Sequence, residues 1–191
     1  LGCIPGCYAW VFSKRNHLSI GVGCMACKAR HLNRLHQEFV NLLGINDSTI
    51  VKSSSYIIPT STKGQVVWQD KALLLGDAAG LADPLTGEGI YNAVLSAQLA
   101  APVIENCLLG RKVGLHDYQE AVEEKITSEL KIAHTLSRLF VRFPHLAFRM
   151  LNRREGVWRA GCQLILGETT YGAIKDNKGG FKGILNRLLR A

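Results

Sequence analysis

The stretch Lys71–Leu99, KALLLGDAAGLADPLTGEGIYNAVLSAQL, decides how this chain is read. It parses as a buried strand, a tight acidic turn, a Gly-rich loop and a helix. Leu73, Leu74 and Leu75 form a short apolar run of the kind a parallel sheet covers on both faces. Gly76 and Asp77 end that strand with a carboxylate at its C-terminal edge, where open α/β sheets bind ligands. Ala78, Ala79 and Gly80 leave little side chain between the backbone and a ligand. Pro84 stiffens the loop, and Gly87-Glu88-Gly89 opens a helix near Ile90. The first-turn N–H groups of that helix, with its positive dipole end, would face whatever the loop cradles.

A strand, an Asp, a Pro and a Gly-Glu-Gly helix start fall here in one order, and the run resembles the second flavin-binding motif of FAD-dependent oxidoreductases. It is written GDAAG, three residues, Pro84, two residues, GEGI. The resemblance implies FAD as cofactor, with Asp77 at its ribityl or pyrophosphate region and Gly87 to Ile90 near the isoalloxazine ring. The implied cofactor set is Gly76, Asp77, Ala78, Ala79, Gly80, Pro84, Gly87, Glu88, Gly89 and Ile90. The competing reading is a generic strand–loop–helix whose glycines serve only the turn.

A second motif lies near the start, Tyr8-Ala9-Trp10-Val11-Phe12-Ser13, followed after seven residues by Gly21-Val22-Gly23. Tyr8, Trp10 and Phe12 alternate, so in a strand all three point to one face. Lys14, Arg15 and Asn16 supply a polar turn into a second strand. The pattern resembles the YxWxFP…GxG motif of geranylgeranyl reductases, flavoproteins that reduce the double bonds of polyprenyl chains. It departs from that motif at Ser13, where the family carries Pro. The resemblance spans about Ile4 to Tyr171 and implies a pocket for a polyprenyl lipid lined by Tyr8, Trp10, Phe12, Gly21 and Gly23. It also implies NAD(P)H or another reductant as electron donor. An aromatic ladder packing a core is the plainer use of such a strand. No general acid is singled out; Tyr8 is a phenol in the right motif, but its ordinary pKa near 10 suits the task poorly. A flavin monooxygenase or halogenase shares the GDAA-type run, and a non-catalytic membrane-surface module is the competing reading from outside the enzymes.

Flavoproteins of this kind open with a strand, a G-x-G-x-x-G turn and a helix, with an acidic residue about 20 positions onward. No G-x-G-x-x-G occurs in the sequence, and Gly21-Val22-Gly23 is followed by Cys24-Met25-Ala26. The sequence also begins at Leu1. The expectation is therefore a C-terminal portion of a longer reductase, partnered by an N-terminal half that carries the first motif.

With 191 residues, 47% of them hydrophobic, the chain can bury a substantial core. No apolar run approaches the roughly 18 residues that span a bilayer, which suggests a cytoplasmic protein. Six cysteines stand at 3, 7, 24, 27, 107 and 162. Cys24 and Cys27 have metal or redox spacing, but Cys3 and Cys7 are one residue too far apart for a second clean pair. They read as free thiols in a reducing cytosol, and no metal site is expected. His31 and His36 read as surface residues.

Net charge is +8, and residues 111–191 carry 15 Lys or Arg against 8 Asp or Glu, which is +7 of it. Within residues 179–191, Phe181, Ile184, Leu185, Leu188 and Leu189 share one helical face, with Lys182, Arg187 and Arg190 opposite. Such a basic amphipathic helix either lies on an anionic membrane surface or packs on its own domain with its charges in water. Nucleic-acid binding finds no aromatic–basic interleaving or motif to support it.

The expected fold class is α/β (α+β): part of a Rossmann-type FAD/NAD(P)-binding domain, an antiparallel substrate-domain sheet and a helical C-terminal region. Residues 1–70 form the substrate domain, 71–110 the returning part of the FAD domain, and 111–191 the helical region. Within these, Cys7 to Gly23 reads as a hairpin and Ala29 to Leu43 as a helix ended by Gly44, with Leu32, Leu35, Phe39, Leu42 and Leu43 on its apolar side. Lys52–Ile58 and Gln65–Trp68 read as further strands. A helical stretch starts with Asp117 as N-cap, is interrupted at Pro144 and breaks again near Gly167.

Overall fold

The computed structural model describes residues 6–24, 30–45, 50–60, 65–111 and 114–176. The expected C-terminal amphipathic helix, Ala29 at the start of an expected helix, and Cys3 and Cys27 lie outside them. The chain divides into two compact units, one running to Tyr56 and including Phe140–His145, the other comprising Ile57–Leu139 and the residues from Leu146 onward.

In the first unit, β1 (Cys7–Ser13) and β2 (Leu18–Cys24) form an antiparallel hairpin in which Tyr8 faces Gly23, Trp10 faces Gly21 and Phe12 faces Ser19. The Lys14 N–H donates to the His17 carbonyl at 2.9 Å and closes the turn. The rings of Tyr8 and Trp10 lie 5.6 Å apart and those of Trp10 and Phe12 6.3 Å apart, a continuous ladder on one face. The helix α1 (Leu32–Leu42) packs against β2 and ends at Gly44, whose φ of +69° is costly for any residue with a Cβ. Leu35 and Val40 are its buried residues, whereas Leu42, expected on the apolar side, is 81% exposed.

The second unit begins with a short hairpin, β3 (Trp68–Gln69) and β4 (Ala72–Leu73), with Asp70 at a φ of +52° in its turn. There follow a 3₁₀ turn (Gly76–Ala79), the long helix α2 (Ile90–Leu108) and α3 (His116–Val122). A π-helical segment (Glu123–Thr127) leads into α4 (Ser128–Arg142), followed by α5 (Pro144–Arg153), α6 (Glu155–Ile165) and α7 (Tyr171–Asp176). Its core joins Val67, Ala79, Leu81 and Ala100 to Tyr118, Val122, Ile126 and Leu130, with Leu73, Leu95, Leu99 and Val103 packed against them.

Three strand expectations are corrected, among them Gln65–Trp68, of which only Trp68 lies in a strand. The run Lys71–Leu75 is no double-covered parallel strand: β4 is two residues long and antiparallel to β3, while Leu74 is 43% exposed. Residues 52–58 form no strand, and among them Tyr56 and Ile57 are largely exposed; nearby, Thr60 makes a single bridge to Leu81. A strand exists only where its N–H and C=O groups find partners, and here side chains of α3 supply them. The Gln119 carboxamide accepts from the Val67 N–H at 2.9 Å and donates to the Gln65 carbonyl at 2.9 Å, as a neighbouring strand would. The Leu74 N–H donates to the Val67 carbonyl at 2.8 Å, and the Leu74 carbonyl accepts from the Tyr118 hydroxyl at 2.8 Å.

The helical expectations fare better. Pro144 opens α5, where its missing N–H costs nothing, and the helices break after Ile165 near Gly167, at a φ of +71°. Asp117 lies inside the first turn of α3 rather than at its cap, where its carboxylate still faces the positive end of the helix.

Tyr118 is fully buried, and burial, only partly offset by a hydrogen bond with Ser96, holds its phenol above the ordinary value of 10. The folded state thus keeps a proton that the unfolded chain releases above pH 10. Stability is fully present below that pH and declines as the pH rises through it. Urea unfolding should show a flat midpoint from pH 7 to 9 and a fall above about 10. Tyr118→Phe should lower stability at pH 7 by about 1–2 kcal/mol, because it orphans the Leu74 carbonyl, and should shrink the alkaline loss.

Candidate functional site

Backbone meets backbone at the turn that follows β4. Gly76 has a φ of +49°, and a Cβ built on it would stand 2.8 Å from the Ala93 Cβ of α2. The Gly76 N–H donates to the Ser96 hydroxyl at 3.1 Å, and that hydroxyl donates to the Ala93 carbonyl at 2.9 Å. The turn closes at Gly80, with a φ of +67°: the Gly80 N–H donates to the Asp77 carbonyl at 2.9 Å and the Leu81 N–H to the Gly76 carbonyl at 3.1 Å. This pair of bonds is a Schellman closure.

The loop that follows is organised by Asp83, which is only 9% exposed. One carboxylate oxygen accepts from the N–H groups of Leu85, at 2.7 Å, and Thr86, at 3.1 Å. The other accepts from the Tyr171 hydroxyl at 2.6 Å. Its own N–H donates to the Glu88 carbonyl at 2.8 Å, and its carbonyl accepts from the Gly87 N–H at 2.8 Å. Pro84 fits the second position of this turn, after Asp83, with its preset φ. Tyr171 is itself buried, and burial, the hydrogen bond to Asp83 and the charges of Asp83 and Glu129 raise its pKa far above the phenol range.

The loop delivers the chain to the start of α2. The Glu88 carboxylate accepts from the Tyr91 N–H at 2.9 Å and caps the helix, while the Asn92 carboxamide donates to the Leu81 carbonyl at 2.8 Å. A Cβ on Gly89 would fall 2.6 Å from a carboxylate oxygen of Asp77. An open cleft of about 630 Å³ results, lined by Leu75, Gly76, Asp77, Ala78, Gly89, Ile90 and Ala93.

Five of the ten residues expected around a cofactor thus meet in one cleft: Gly76, Asp77, Ala78, Gly89 and Ile90. Ala79 and Gly80 are buried behind it, and Pro84 and Gly87 belong to the Asp83 loop. The sequence reading missed Asp83, Ser96 and Tyr171 as organisers. Asp83-Pro84 is a recognisable turn signal; nothing local marks Tyr171, 88 residues away.

The expected substrate residues share one face of the β1–β2 hairpin. A Cβ on Gly21 would overlap the Trp10 indole, and one on Gly23 would lie 2.7 Å from the Tyr8 ring. The glycines are therefore where the rings rest. Cys7 and Cys24 are cross-strand partners, and among the described residues no group of three or more His, Cys, Asp or Glu side chains could hold a metal.

These two constructions, an acidic Gly-rich turn run into a helix and an aromatic ladder seated on glycines, belong to a protein of mixed helix and strand whose described sheets are small and antiparallel. No protein-family model matches the chain. It is 31% identical over 132 residues to a digeranylgeranylglycerophospholipid reductase of Methanocella arvoryzae, covering 66% of this chain and 33% of that protein. It is 28% identical over 148 residues to the chloroplastic geranylgeranyl diphosphate reductase of Nicotiana tabacum, covering 72% and 31%. A solved structure of a geranylgeranyl bacteriochlorophyll reductase-like protein from Thermoplasma acidophilum shares the fold, with a TM-score of 0.54, 21% identity and coverage of 74% of this chain and 38% of that one. The chain belongs to the geranylgeranyl reductase family. It spans about a third of the length of these curated relatives.

Gly76→Ala should be among the most damaging single-methyl changes. It forces a side chain into a left-handed backbone and against Ala93, costing about 2–4 kcal/mol in all. Thermal denaturation followed by circular dichroism reads this directly, with Gly110→Ala as the control for a positive φ in open space.

Proposed function

We propose that this chain supplies the isoalloxazine-side and substrate-side part of an FAD-dependent reductase acting on isoprenoid C=C bonds. The observation that carries the reading is the cleft in which the exposed Asp77 carboxylate lies against Gly89 at the start of α2. FAD fits these residues: a Cβ at Gly89 would intrude on the cleft, and Asp77 offers an acceptor to sugar-alcohol hydroxyls. Bound and reduced by NAD(P)H or another donor, FAD would supply the hydride. Asp77 would orient the ribityl chain, while Gly76, Ala78 and Gly89 would let the cofactor approach the backbone. Ile90, 79% exposed, would give the cleft an apolar edge. Glu88 acts here as the helix cap, and Ala79, Gly80, Pro84 and Gly87 shape the turn and loop. In the whole protein, residues 71–110 would belong to a Rossmann-type domain completed by an N-terminal half, with residues 1–70 on the substrate side and 111–191 as a helical region. The half-exposed Tyr8 and Phe12, with Trp10 between them, would present ring faces to a polyprenyl tail.

The aromatic ladder over Gly21 and Gly23 also favours a reductase over a flavin monooxygenase or halogenase. NAD(P)H oxidation by the full-length reductase in air distinguishes them, since only a monooxygenase couples it to hydroxylated product. Among the described residues no helix is long and apolar enough to cross a membrane. A peripheral contact has a separate support: Arg149 and Arg153 on α5 and Arg154 at the cap of α6 stand exposed, as do Phe148 and Trp158, while Glu155, the sole acidic residue of the two helices, pairs with Arg159 at 2.6 Å. That surface suits anionic headgroups.

The test of the cofactor reading is the visible spectrum of the chain after incubation with FAD and desalting. A retained flavin band is expected, with affinity lowered about 10- to 100-fold by Asp77→Ala. Equal retention by both proteins removes Asp77 from the site; no retention by the wild-type chain shows that these residues do not hold FAD by themselves.

A further inference from the structure

We propose that Tyr171 is a positioning residue of this cleft, holding Asp83 so that the Asp83–Gly89 loop sets the start of α2 against Asp77. The inference rests on the cofactor reading for its functional meaning, but its geometry stands apart from it. Asp83 takes part in five hydrogen bonds, and four of them belong to the loop: its backbone braces Gly87 and Glu88, and one carboxylate oxygen takes the amides of Leu85 and Thr86. The fifth, from the Tyr171 hydroxyl at 2.6 Å, is the contact that arrives from elsewhere in the chain, and it fixes the carboxylate's rotation. A carboxylate this buried needs its second oxygen satisfied. Without the hydroxyl it must turn toward water, and turning withdraws the first oxygen from Leu85 and Thr86.

Tyr171 is anchored in its turn. It is the first residue of α7, and the next N–H, of Gly172, donates to both Glu129 carboxylate oxygens, at 3.2 and 3.0 Å. The Ala173 N–H donates to the Thr170 hydroxyl at 3.2 Å, capping the same turn. A line of hydrogen bonds therefore runs from Glu129 on α4 through α7 to Asp83 and on to the Gly87–Gly89 turn. Gly89 is the residue against which Asp77 lies. The buried phenol keeps its proton across the physiological range, so the donor is constant. The helical region thereby sets the shape of a cleft built from a segment some 80 to 95 residues earlier in the sequence.

The experiment compares the full 191-residue chain with Tyr171→Phe, which preserves the ring, by amide hydrogen exchange without FAD and by FAD titration. Leu85 and Thr86 should exchange about tenfold faster in the variant, while Val122 and Ile126 in the core keep their wild-type rates, and the FAD dissociation constant should rise about tenfold. Glu129→Gln, which leaves Tyr171 in place and weakens its anchor, should produce a smaller acceleration at the same two amides. Unchanged exchange at Leu85 and Thr86 in Tyr171→Phe overturns the proposal. So does an equal acceleration at Val122 and Ile126, which would make Tyr171 a general stability residue. Failure of the wild-type chain to bind FAD would count against the cofactor reading alone, because the exchange comparison is made without it.

Discussion

The close approach of the Gly76 turn to the first turns of α2 is the constraint on which the second unit depends. Bulky side chains are absent from that contact: Gly76 faces Ala93, Gly89 faces the Asp77 carboxylate, and the α2 side chains that reach across are the hydroxymethyl of Ser96 and the carboxamide of Asn92. Small residues bring α2 close enough for Leu95, Leu99 and Val103 to reach the cluster built on Tyr118, Val122 and Ile126. They also leave the Asp77 carboxylate facing solvent at the rim instead of sinking into the core. One geometric fact thus produces both the packing of the unit and the opening beside it.

How far this was legible in the sequence depends on how local the deciding forces are. The start of α2 at Ile90, the α5 start at Pro144 and the break near Gly167 follow from glycine and proline backbone preferences, which act over a few residues. The hairpin and its ladder follow from alternation over two short strands. The meeting of Gly76, Asp77, Ala78, Gly89 and Ile90 was legible because a single motif holds them all. Tyr171 and Asp83 were not, since their pairing is a tertiary contact across 88 positions and neither residue announces its partner. The buried parallel strand expected at Leu73–Leu75 fails for a related reason: an apolar run states that burial is available, but pairing partners decide strand direction and length.

Those partners are supplied in an unusual way. Gln119 and Tyr118, adjacent on α3, satisfy three backbone groups of the segment around β3 and β4, at Gln65, Val67 and Leu74. A helix thereby does through side chains what a neighbouring strand does through its main chain. Gln119 also donates to Glu123 at 2.7 Å, which steadies the amide orientation that the arrangement requires. The chemistry of α3 is thus part of the sheet's hydrogen bonding as well as of the core.

The hairpin of the first unit solves a different problem. Two strands alone protect their ladder poorly, because water reaches both faces. Here the indole of Trp10 and the phenol of Tyr8, tilted 32° to one another, sit at Gly21 and Gly23 in the volume the missing side chains leave free. Gly21 is buried and Gly23 half-buried under them, while Tyr8 keeps half its own surface exposed. A surface with half-exposed aromatics therefore rests on a glycine floor, and whatever settles on the rings meets faces already held from beneath by the opposite strand.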